Sequence, residues 1–178
     1  DNTIHSITQD KAGTIWFGTI AGLSKIDPKS IKDKKPAFTN YAGKEGLADS
    51  TVLSLHFDRK GDLWIGTQNL LYVMRNGVIS PCEEVNKLKN EELFSIHDIH
   101  EDNGGIIWFG TDHGVIKFNG VIAEKIDHNK GFIDRRVYTI TNDSKGNLIF
   151  ATDEGLFYYD HGNFVNVLKL LKDEIHPV

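Results

Sequence analysis

The feature that most constrains this chain is a segment of 24 residues that occurs four times without an internal gap. The copies are IHSITQDKAGTIWFGTIAGLSKID (4–27), VLSLHFDRKGDLWIGTQNLLYVMR (52–75), IHDIHEDNGGIIWFGTDHGVIKFN (96–119) and VYTITNDSKGNLIFATDEGLFYYD (137–160). A glycine near the middle of each copy recurs after 48, 44 and 41 residues, at Gly13, Gly61, Gly105 and Gly146. Insertions therefore fall between the copies, and the spacing is close to that of propeller blades.

Each copy predicts a hairpin. An aspartate stands three residues before the recurring glycine, which is typical of a type I turn with Asp first and Gly last. These aspartates are Asp10, Asp58, Asp102 and Asp143. Branched and aromatic residues such as Ile15-Trp16-Phe17 follow the turn and suit a strand buried on both faces. We therefore expect two antiparallel strands in every copy.

A second turn follows a recurring threonine, at Thr19, Thr67, Thr111 and Thr152. Its glycine, which is Gly22, Gly114 or Gly155, is expected to have a positive φ. In the second copy Leu70 occupies that position, and we expect Asn69 to take the left-handed conformation instead, because Asn tolerates it better than most residues.

Two further strands complete each copy. The third follows the second turn directly, and the fourth lies where the copies diverge. The predicted fourth strands are Phe38–Tyr41, Val78–Ser80, Val121–Ile126 and Phe164–Leu168. The insertion at residues 83–93 (EEVNKLKNEEL) has a helical composition, so it is expected to form either one short helical turn or a solvated loop.

The repeats predict an all-β fold, a β-propeller of four-stranded antiparallel blades with four blades in this chain. The expected blades are residues 4–47, 52–91, 94–132 and 137–170. Sheets that are apolar on both faces must stack on their neighbours, and the tryptophan that recurs in three copies would pack at each junction. Because the chain opens directly at an inner strand, we expect part of a larger propeller, or a ring completed by a second chain. The expected partners are thus the remaining blades or a second copy in a homodimer.

Composition excludes several classes of partner. The net charge of −5 disfavours binding to nucleic acid or to an anionic membrane surface, since both need a basic face. The single cysteine, Cys82, cannot form an internal disulfide. No apolar run reaches the length of a membrane span, and the first residues lack the features of a secretory signal. We expect neither a nucleic-acid partner nor direct membrane contact.

The string Asp-x-x-Gly-x-Leu/Ile-Trp-Phe/Ile-Gly-Thr-x-x-Gly-Leu resembles the two-component regulator propeller repeat, and the resemblance covers nearly the whole chain. It implies a periplasmic sensor region of a bacterial histidine kinase, often a hybrid sensor that responds to oligosaccharides from glycan breakdown. The expected function is non-catalytic sensing of a small polar ligand, with an oligosaccharide as the candidate. Any kinase activity would lie in another part of the parent protein.

In a propeller, the loops that enter the innermost strands share one face with the loops between the second and third strands. We expect the ligand site there, although loop tips are also polar simply because they are solvated. Arg135 and Arg136 would either hold a carboxylate or sulfate through paired hydrogen bonds or form a solvated charge pair. The candidate residues are Gln68, Asn69, Asp112, His113, Arg135, Arg136, Asp153 and Glu154, together with residues 48–50 (Ala-Asp-Ser).

Neither a metal site nor a cofactor is predicted. His97 and His100 are three apart on a strand, which places them on opposite faces, and His5 shares the repeat position of His97.

Two alternative functions remain open. Residues 13–17 and 105–109 also resemble the core of streptogramin lyases, propeller enzymes that use a histidine base with a metal, although the Gly-Thr-x-x-Gly continuation fits the regulator repeat better. A protein–protein interaction scaffold would instead show an apolar patch on the blade rims or on the loop face.

Overall fold

The computed structural model describes residues 3–32, 36–43, 47, 51–88, 94–126, 132, 135–160 and 162–167. This part of the chain forms four antiparallel sheets of four strands each, which we call blades I to IV. Within every blade the strands are paired in chain order, so each blade is one continuous stretch of sequence. The all-β propeller architecture predicted from the repeats is confirmed.

The strands correspond closely from blade to blade. Blade I contains β1 (Ile4–Gln9), β2 (Ile15–Thr19), β3 (Gly22–Ile26) and β4 (Phe38–Tyr41). Blade II contains β5 (Val52–Phe57), β6 (Leu63–Thr67), β7 (Leu71–Arg75) and β8 (Val78–Pro81). Blade III contains β9 (Ile96–Glu101), β10 (Ile107–Thr111), β11 (Gly114–Phe118) and β12 (Ala123–Ile126). Blade IV contains β13 (Val137–Asn142), β14 (Leu148–Thr152), β15 (Gly155–Asp160) and β16 (Asn163–Asn166).

Two short helices lie between blades. Helix α1 (Pro28–Ile31) begins after Asp27, whose side chain accepts a hydrogen bond from Lys29 N. Helix α2 (Glu83–Asn86) is the short helical turn that was one of the two expectations for residues 83–93, of which 89–93 lie outside the described residues. Within the described ranges, no helix has the length and apolar character needed to cross a membrane.

The first turn of each copy forms as predicted. The backbone N–H of the recurring glycine donates to the carbonyl of the aspartate three residues before it, at 3.0 Å for Gly13 and 2.9 Å for Gly61. All four glycines have φ between 83° and 93°, a region that side-chain-bearing residues rarely adopt. The carboxylate Oδ1 of Asp10 then accepts from the backbone N–H of Ala12 and Thr14, both at 2.9 Å. The same pair of bonds recurs in the other blades.

The turn aspartates also bind the tryptophans, a role that the sequence analysis did not predict. The indole Nε1–H of Trp64 donates to Asp58 Oδ2 at 3.0 Å, and equivalent bonds join Trp16 to Asp10 and Trp108 to Asp102. Blade IV has Ile149 in place of a tryptophan. There the Tyr158 hydroxyl donates to Asp143 Oδ2 at 2.8 Å, so a residue of the next strand supplies the missing donor.

The second turn differs between blades. In blades I, III and IV the threonine hydroxyl donates to the carbonyl of a glycine with positive φ, as for Thr19 and Gly22 at 3.0 Å. The expectation for Asn69 was wrong, because Asn76 is the only non-glycine residue with positive φ in the described ranges. In blade II the Thr67 hydroxyl donates to Leu70 O at 2.7 Å and accepts from Leu70 N at 3.0 Å. The side chain of Thr67 closes this turn, so no left-handed residue is needed.

Three of the fourth strands differ slightly from the prediction, and β8 extends one residue further, to Pro81. Strand β12 begins at Ala123 and not at Val121, because the side chain of Asn119 accepts hydrogen bonds from the backbone N–H of Val121 and Ile122. These two residues therefore belong to the turn. Strand β16 is Asn163–Asn166, and the predicted end at Leu168 lies outside the described residues.

Each tryptophan packs against the next blade, which confirms its predicted place at the junction. Trp64 of blade II lies 5.7 Å from the ring of Phe109 and 5.8 Å from that of Phe118, both in blade III. Trp16 packs in the same way on Phe57, and Trp108 on Phe150. The chain therefore has three separate hydrophobic cores, each between two consecutive blades.

The glycine two residues after each tryptophan allows the blades to approach closely. A Cβ built on Gly18 would lie 2.6 Å from Val52 Cγ1, and one built on Gly66 would lie 2.7 Å from Ile96 Cβ. These distances are too short for real side chains, so the Gly of the repeated Gly-Thr pair is required by the inner strand of the following blade. Blade IV carries Ala151 at this position.

The outward faces of the two end blades are exposed. Ile7 of blade I is 63% exposed, whereas its repeat equivalents Leu55, Ile99 and Ile140 are 9%, 4% and 4% exposed. On the opposite face of blade IV, Leu156 is 44% exposed, although its equivalent Leu71 is fully buried. Both faces have the apolar composition of a blade junction. Among the described residues, no further blade packs on either of them.

Candidate functional site

The predicted loop residues lie at one end of the blades, which we call the top face. It contains the turns between the second and third strands and the segments that enter the innermost strands; the Asp-Gly turns lie at the opposite end, the bottom face. The segment before β13 contacts two of these top-face turns. Gly114 N donates to Arg135 O at 2.8 Å, and Asp153 N donates to Arg136 O at 3.4 Å. The structure thus brings the predicted residues of blades III and IV together.

Asp112 is the centre of this arrangement. Its Oδ1 lies 2.9 Å from His97 Nε2 and accepts a hydrogen bond from Arg136 Nε at 2.8 Å, while its Oδ2 accepts from Ser95 N at 3.2 Å. The Asp112 side chain is only 10% exposed, and that of Arg136 is 49% exposed. We call Asp112, His97, Arg136 and the neighbouring Tyr138 the top-face cluster.

The charge of Asp112 is fixed over the physiological pH range. Burial on its own would raise the pKa of Asp112, but the hydrogen bonds from His97 and Ser95 outweigh that effect and lower the pKa to about 2. The hydrogen bond to Asp112 in turn raises the pKa of Arg136. The cluster therefore contains an ionised carboxylate, which hydrogen bonds hold in place, beside a charged guanidinium.

Backbone irregularities place two of these side chains at the top face. In each innermost strand the pairing with the second strand is interrupted at its second residue, which is His5, Leu53, His97 or Tyr138. Such a bulge turns a side chain away from the regular alternation of the strand. The rings of His97 and Tyr138 lie 6.5 Å apart, next to Asp112 and Arg136.

Sequence reasoning missed His97 and Tyr138 as site residues. The shared repeat position of His5 and His97 pointed to a role in the blade, and Tyr138 occupies that same position in the fourth copy. A comparison of this one position across the copies offers a signal, because it carries a ring in three copies and Leu53 in the other. As expected, His97 and His100 have different partners: His97 contacts Asp112, and His100 contacts Asn142.

The remaining predicted residues contribute less. Arg135 and Glu154 form an ion pair of 3.5 Å in which both side chains are more than half exposed, so it adds little stability. His113 and Asn69 donate their backbone N–H groups to the threonines of their turns, and Gln68 donates its backbone N–H to Thr51 O. Residues 48–50 lie outside the described residues. The binding role of all these residues stays a prediction.

The arrangement favours recognition through hydrogen bonds. It combines donors from Arg136 with an anionic acceptor and two rings, all held by contacts within the protein. In the described ranges, no three His, Cys, Asp or Glu side chains are grouped so that they could hold a metal ion.

Comparison with known proteins relates the chain to bacterial signalling proteins. Residues 1–21 and 46–69 match the family model described as Two component regulator propeller. Histidine kinase P4 of Formosa agariphila is 29% identical over 166 residues, a match that covers 87% of this chain and 12% of the kinase. This chain therefore spans a small part of that relative's length.

Solved structures share the fold at lower identity. The extracellular domain of the hybrid two component system BT3049 from B. thetaiotaomicron superposes with a TM-score of 0.73 at 23% identity, over 90% of this chain and 22% of that one. Virginiamycin B lyase from Staphylococcus aureus superposes with a TM-score of 0.70 at 15% identity, over 93% of this chain and 56% of that one. These likenesses establish the propeller architecture. The chain is a segment of a β-propeller, two stretches of which match the two-component regulator propeller model.

Proposed function

We propose that this chain is a non-catalytic, ligand-sensing part of a propeller in the periplasmic region of a two-component sensor kinase. The observation that carries the proposal is the top-face cluster, in which a buried carboxylate holds His97 and Arg136 in place. The match to a histidine kinase and the propeller fold shared with an extracellular two-component domain support it. Kinase activity would reside elsewhere in the parent protein.

The chemistry of the cluster suits an oligosaccharide derived from a glycan. Sugar hydroxyls both donate and accept hydrogen bonds, and the cluster offers a carboxylate acceptor next to guanidinium donors. The ring of Tyr138, which is half exposed, adds an apolar surface beside these polar groups. Because the side chains are already held by one another, little conformational entropy is lost when a ligand binds.

Calorimetric titration of this chain with a panel of glycan-derived oligosaccharides tests the proposal. A ligand present at a hundred times its Kd is expected to stabilise the fold by about 2.7 kcal/mol. Arg136→Ala should abolish binding, whereas Arg135→Ala is the matched control and should preserve it, since Arg135 pairs only with exposed Glu154 among the described contacts of its side chain. If no oligosaccharide binds, or if Arg136→Ala binds as the unmodified chain does, the top-face cluster is not the sensing site.

We further propose that additional blades cover the open faces of blades I and IV. Within the chain, every face that corresponds to the exposed surface around Ile7 is buried by the tryptophan-bearing face of the preceding blade. The occupants are the remaining blades of the parent protein, or a second copy whose blade IV meets blade I. Either would bury Ile4, Ile7 and Phe38, which are each more than half exposed.

A protein–protein interaction scaffold is the second candidate function. Its supporting observation is strong apolar exposure on the rims of blades II and III, at Val78, which begins β8, and at Val121 and Ile122, which lie in the β11–β12 turn. The double variant Val121→Ser, Ile122→Ser tests this role. If it no longer binds a partner protein and still binds oligosaccharide, the result would favour an interaction role for the rim. The streptogramin lyase alternative is supported by the shared fold.

A further inference from the structure

A cleft at the bottom face lies between blades I and II, on the side of the molecule opposite the top-face cluster. Its volume is about 850 Å³, within the range of small-molecule sites. The Asp-Gly turns of both blades and the β7–β8 turn form its rim. Trp16, Phe57, Leu63 and Met74 contribute its apolar walls.

The carboxylates that line the cleft already have hydrogen-bond donors. Asp10 accepts from Ala12 N, Thr14 N and the indole of Trp16. Asp58 accepts the equivalent set of bonds in blade II. Glu101 accepts from Arg59, both from the backbone N–H at 2.8 Å and from the guanidinium Nε at 2.6 Å. Glu101 is therefore paired with a cation, whereas Asp10 and Asp58 are held by neutral N–H donors.

The ammonium group of Lys25 is not compensated in this way. It is partly buried and lies 4.9 Å from the ring centre of Trp16 and 5.6 Å from that of Tyr41, contacts that stabilise a cation but do not neutralise it. Among the described residues, no carboxylate lies within ion-pair distance of Lys25. A second ammonium at the rim, that of Lys11, donates to Arg59 O at 3.1 Å. The lining thus has three cationic and three anionic side chains, and Lys25 is the cation that has no hydrogen-bond acceptor or ion-pair partner among the described residues.

The repeat supplies an internal comparison for Lys25. Its equivalent in blade III, Lys117, forms a 2.7 Å ion pair with Glu124, the residue opposite it on β12. The residue opposite Lys25 on β4 is Thr39, which has no charge. The same structural position therefore carries a neutralised lysine in blade III and, as far as the described residues extend, a lysine without a counter-ion in blade I.

The equivalent places at the other two junctions are more filled in the described part of the chain. Between blades II and III, the guanidinium of Arg59 extends into the next turn and donates to the carbonyls of Asp102 and Asn103. Between blades III and IV, the corresponding cavity is about 200 Å³. The shorter reach of Lys11 at the first junction leaves the cleft open there.

We infer that the bottom-face cleft between blades I and II is a second binding site, for a small organic anion that carries an aromatic or apolar ring. Its carboxylate or sulfate group pairs with Lys25, and its ring packs against Phe57 and Met74. The anion completes the charge pairing that Glu124 provides to Lys117 in blade III. This site does not depend on the sensing role of the top-face cluster.

Nuclear magnetic resonance of the chain with benzoate as the probe tests this site. The chain has three tryptophans, so it has three indole N–H resonances, and only that of Trp16 reports on the cleft. Benzoate should shift the Trp16 resonance saturably and leave those of Trp64 and Trp108 in place. Benzyl alcohol, which has the ring without the charge, should bind about tenfold more weakly, because a charge-assisted contact contributes about 1.5 kcal/mol or more.

Lys25→Gln and its matched control Lys117→Gln identify the anchor. Lys25→Gln should weaken benzoate binding about tenfold, while Lys117→Gln should bind as the unmodified chain does. Unchanged Trp64 and Trp108 resonances in both variants establish that the blades remain folded. The inference is overturned if benzoate gives no saturable shift, if all three indoles shift alike, or if Lys25→Gln binds benzoate with undiminished affinity. Arg136→Ala should leave this binding unchanged, which separates it from the sensing proposal.

Discussion

At the scale of single residues, the pairing of aspartate and tryptophan links a turn to a blade junction. The carboxylate of Asp58 orders its own turn through Oδ1 and holds the indole of Trp64 through Oδ2. The rest of the indole packs on Phe109 and Phe118 of the next blade. One aspartate therefore fixes both a local turn and the orientation of a side chain that joins two blades.

Replacement of Trp64 measures the contribution of this junction. Trp64→Ala should lower the free energy of unfolding by about 3 to 5 kcal/mol, because it removes a buried aromatic side chain and leaves a cavity. Ile149→Ala is the matched control, since Ile149 has the same repeat position but lies on the open face of blade IV, and it should cost about 1 kcal/mol or less. Equal losses for both variants in urea denaturation would contradict the stacking of Trp64 between blades.

At the scale of strands and turns, the features that all four copies share were predicted from the sequence. The features that are specific to one copy were not. Four copies fixed the positions of the Asp-Gly turns and of the first three strands. The prediction for Asn69 failed because the Thr67 hydroxyl both donates to Leu70 O and accepts from Leu70 N, and the turn of blade II closes without a left-handed residue. The start of β12 was misplaced because Asn119 captures two backbone N–H groups.

The candidate site was predictable only in part. Asp112 and Arg136 were found because they lie in loops whose common face follows from propeller topology. His97 and Tyr138 were not found, because alternation along a strand places a residue on one face or the other and does not foresee a bulge. The ion pair between Arg59 and Glu101 at the bottom-face cleft joins two blades, and no local pattern reveals such a contact.

The inner strand β5 carries a histidine that makes stability depend on pH. His56 faces blade III, and its Nε2 is buried without a hydrogen-bond partner in the described part of the chain. Burial first, and then the charge of His100, lowers the pKa of His56 below its usual range. Three carboxylates nearby act in the opposite direction and reduce the shift: Glu101, Asp58 and Asp98.

The direction of the pH effect follows from this lowered pKa. The unfolded chain binds a proton at His56 below about pH 6.5, whereas the folded chain binds it only at lower pH. The stabilising contribution of neutral His56 is therefore complete above that pH and declines as the pH falls toward the folded-state pKa. Denaturation of the unmodified chain and of His56→Gln at about pH 8 and about pH 5 should show a smaller loss for the variant. An equal loss in both would assign the pH dependence to other groups.

At the scale of the whole molecule, the four blades form an array with two unlike ends. Blade I exposes the face that receives a tryptophan, and blade IV exposes the face from which a tryptophan would project. The face of blade IV differs from the other projecting faces, because it carries Ile149 and Ala151 in place of the tryptophan and the glycine. Exposed apolar surface of this kind favours association.

Light scattering over a concentration series tests the completion of the ring. If a second copy covers the open faces, the mass should rise to that of a dimer, and Ile7→Glu should return the chain to a monomer by placing a charge in the junction. Val78→Glu, on a rim outside the junctions, is the matched control and should remain dimeric. A monomer at every concentration would exclude the second copy and leave the blades of the parent protein as the expected occupants.

The pairing of strands in chain order has an evolutionary consequence. Because every blade is one continuous stretch of sequence, unequal crossing-over between two copies of the repeat adds or deletes a whole blade and divides no sheet. Recombination among the first three copies keeps a projecting face and a receiving face at every junction, since each of these copies encodes both. A gene of this kind can change the number of its blades in a single recombination event, while selection adjusts the loops of each copy independently.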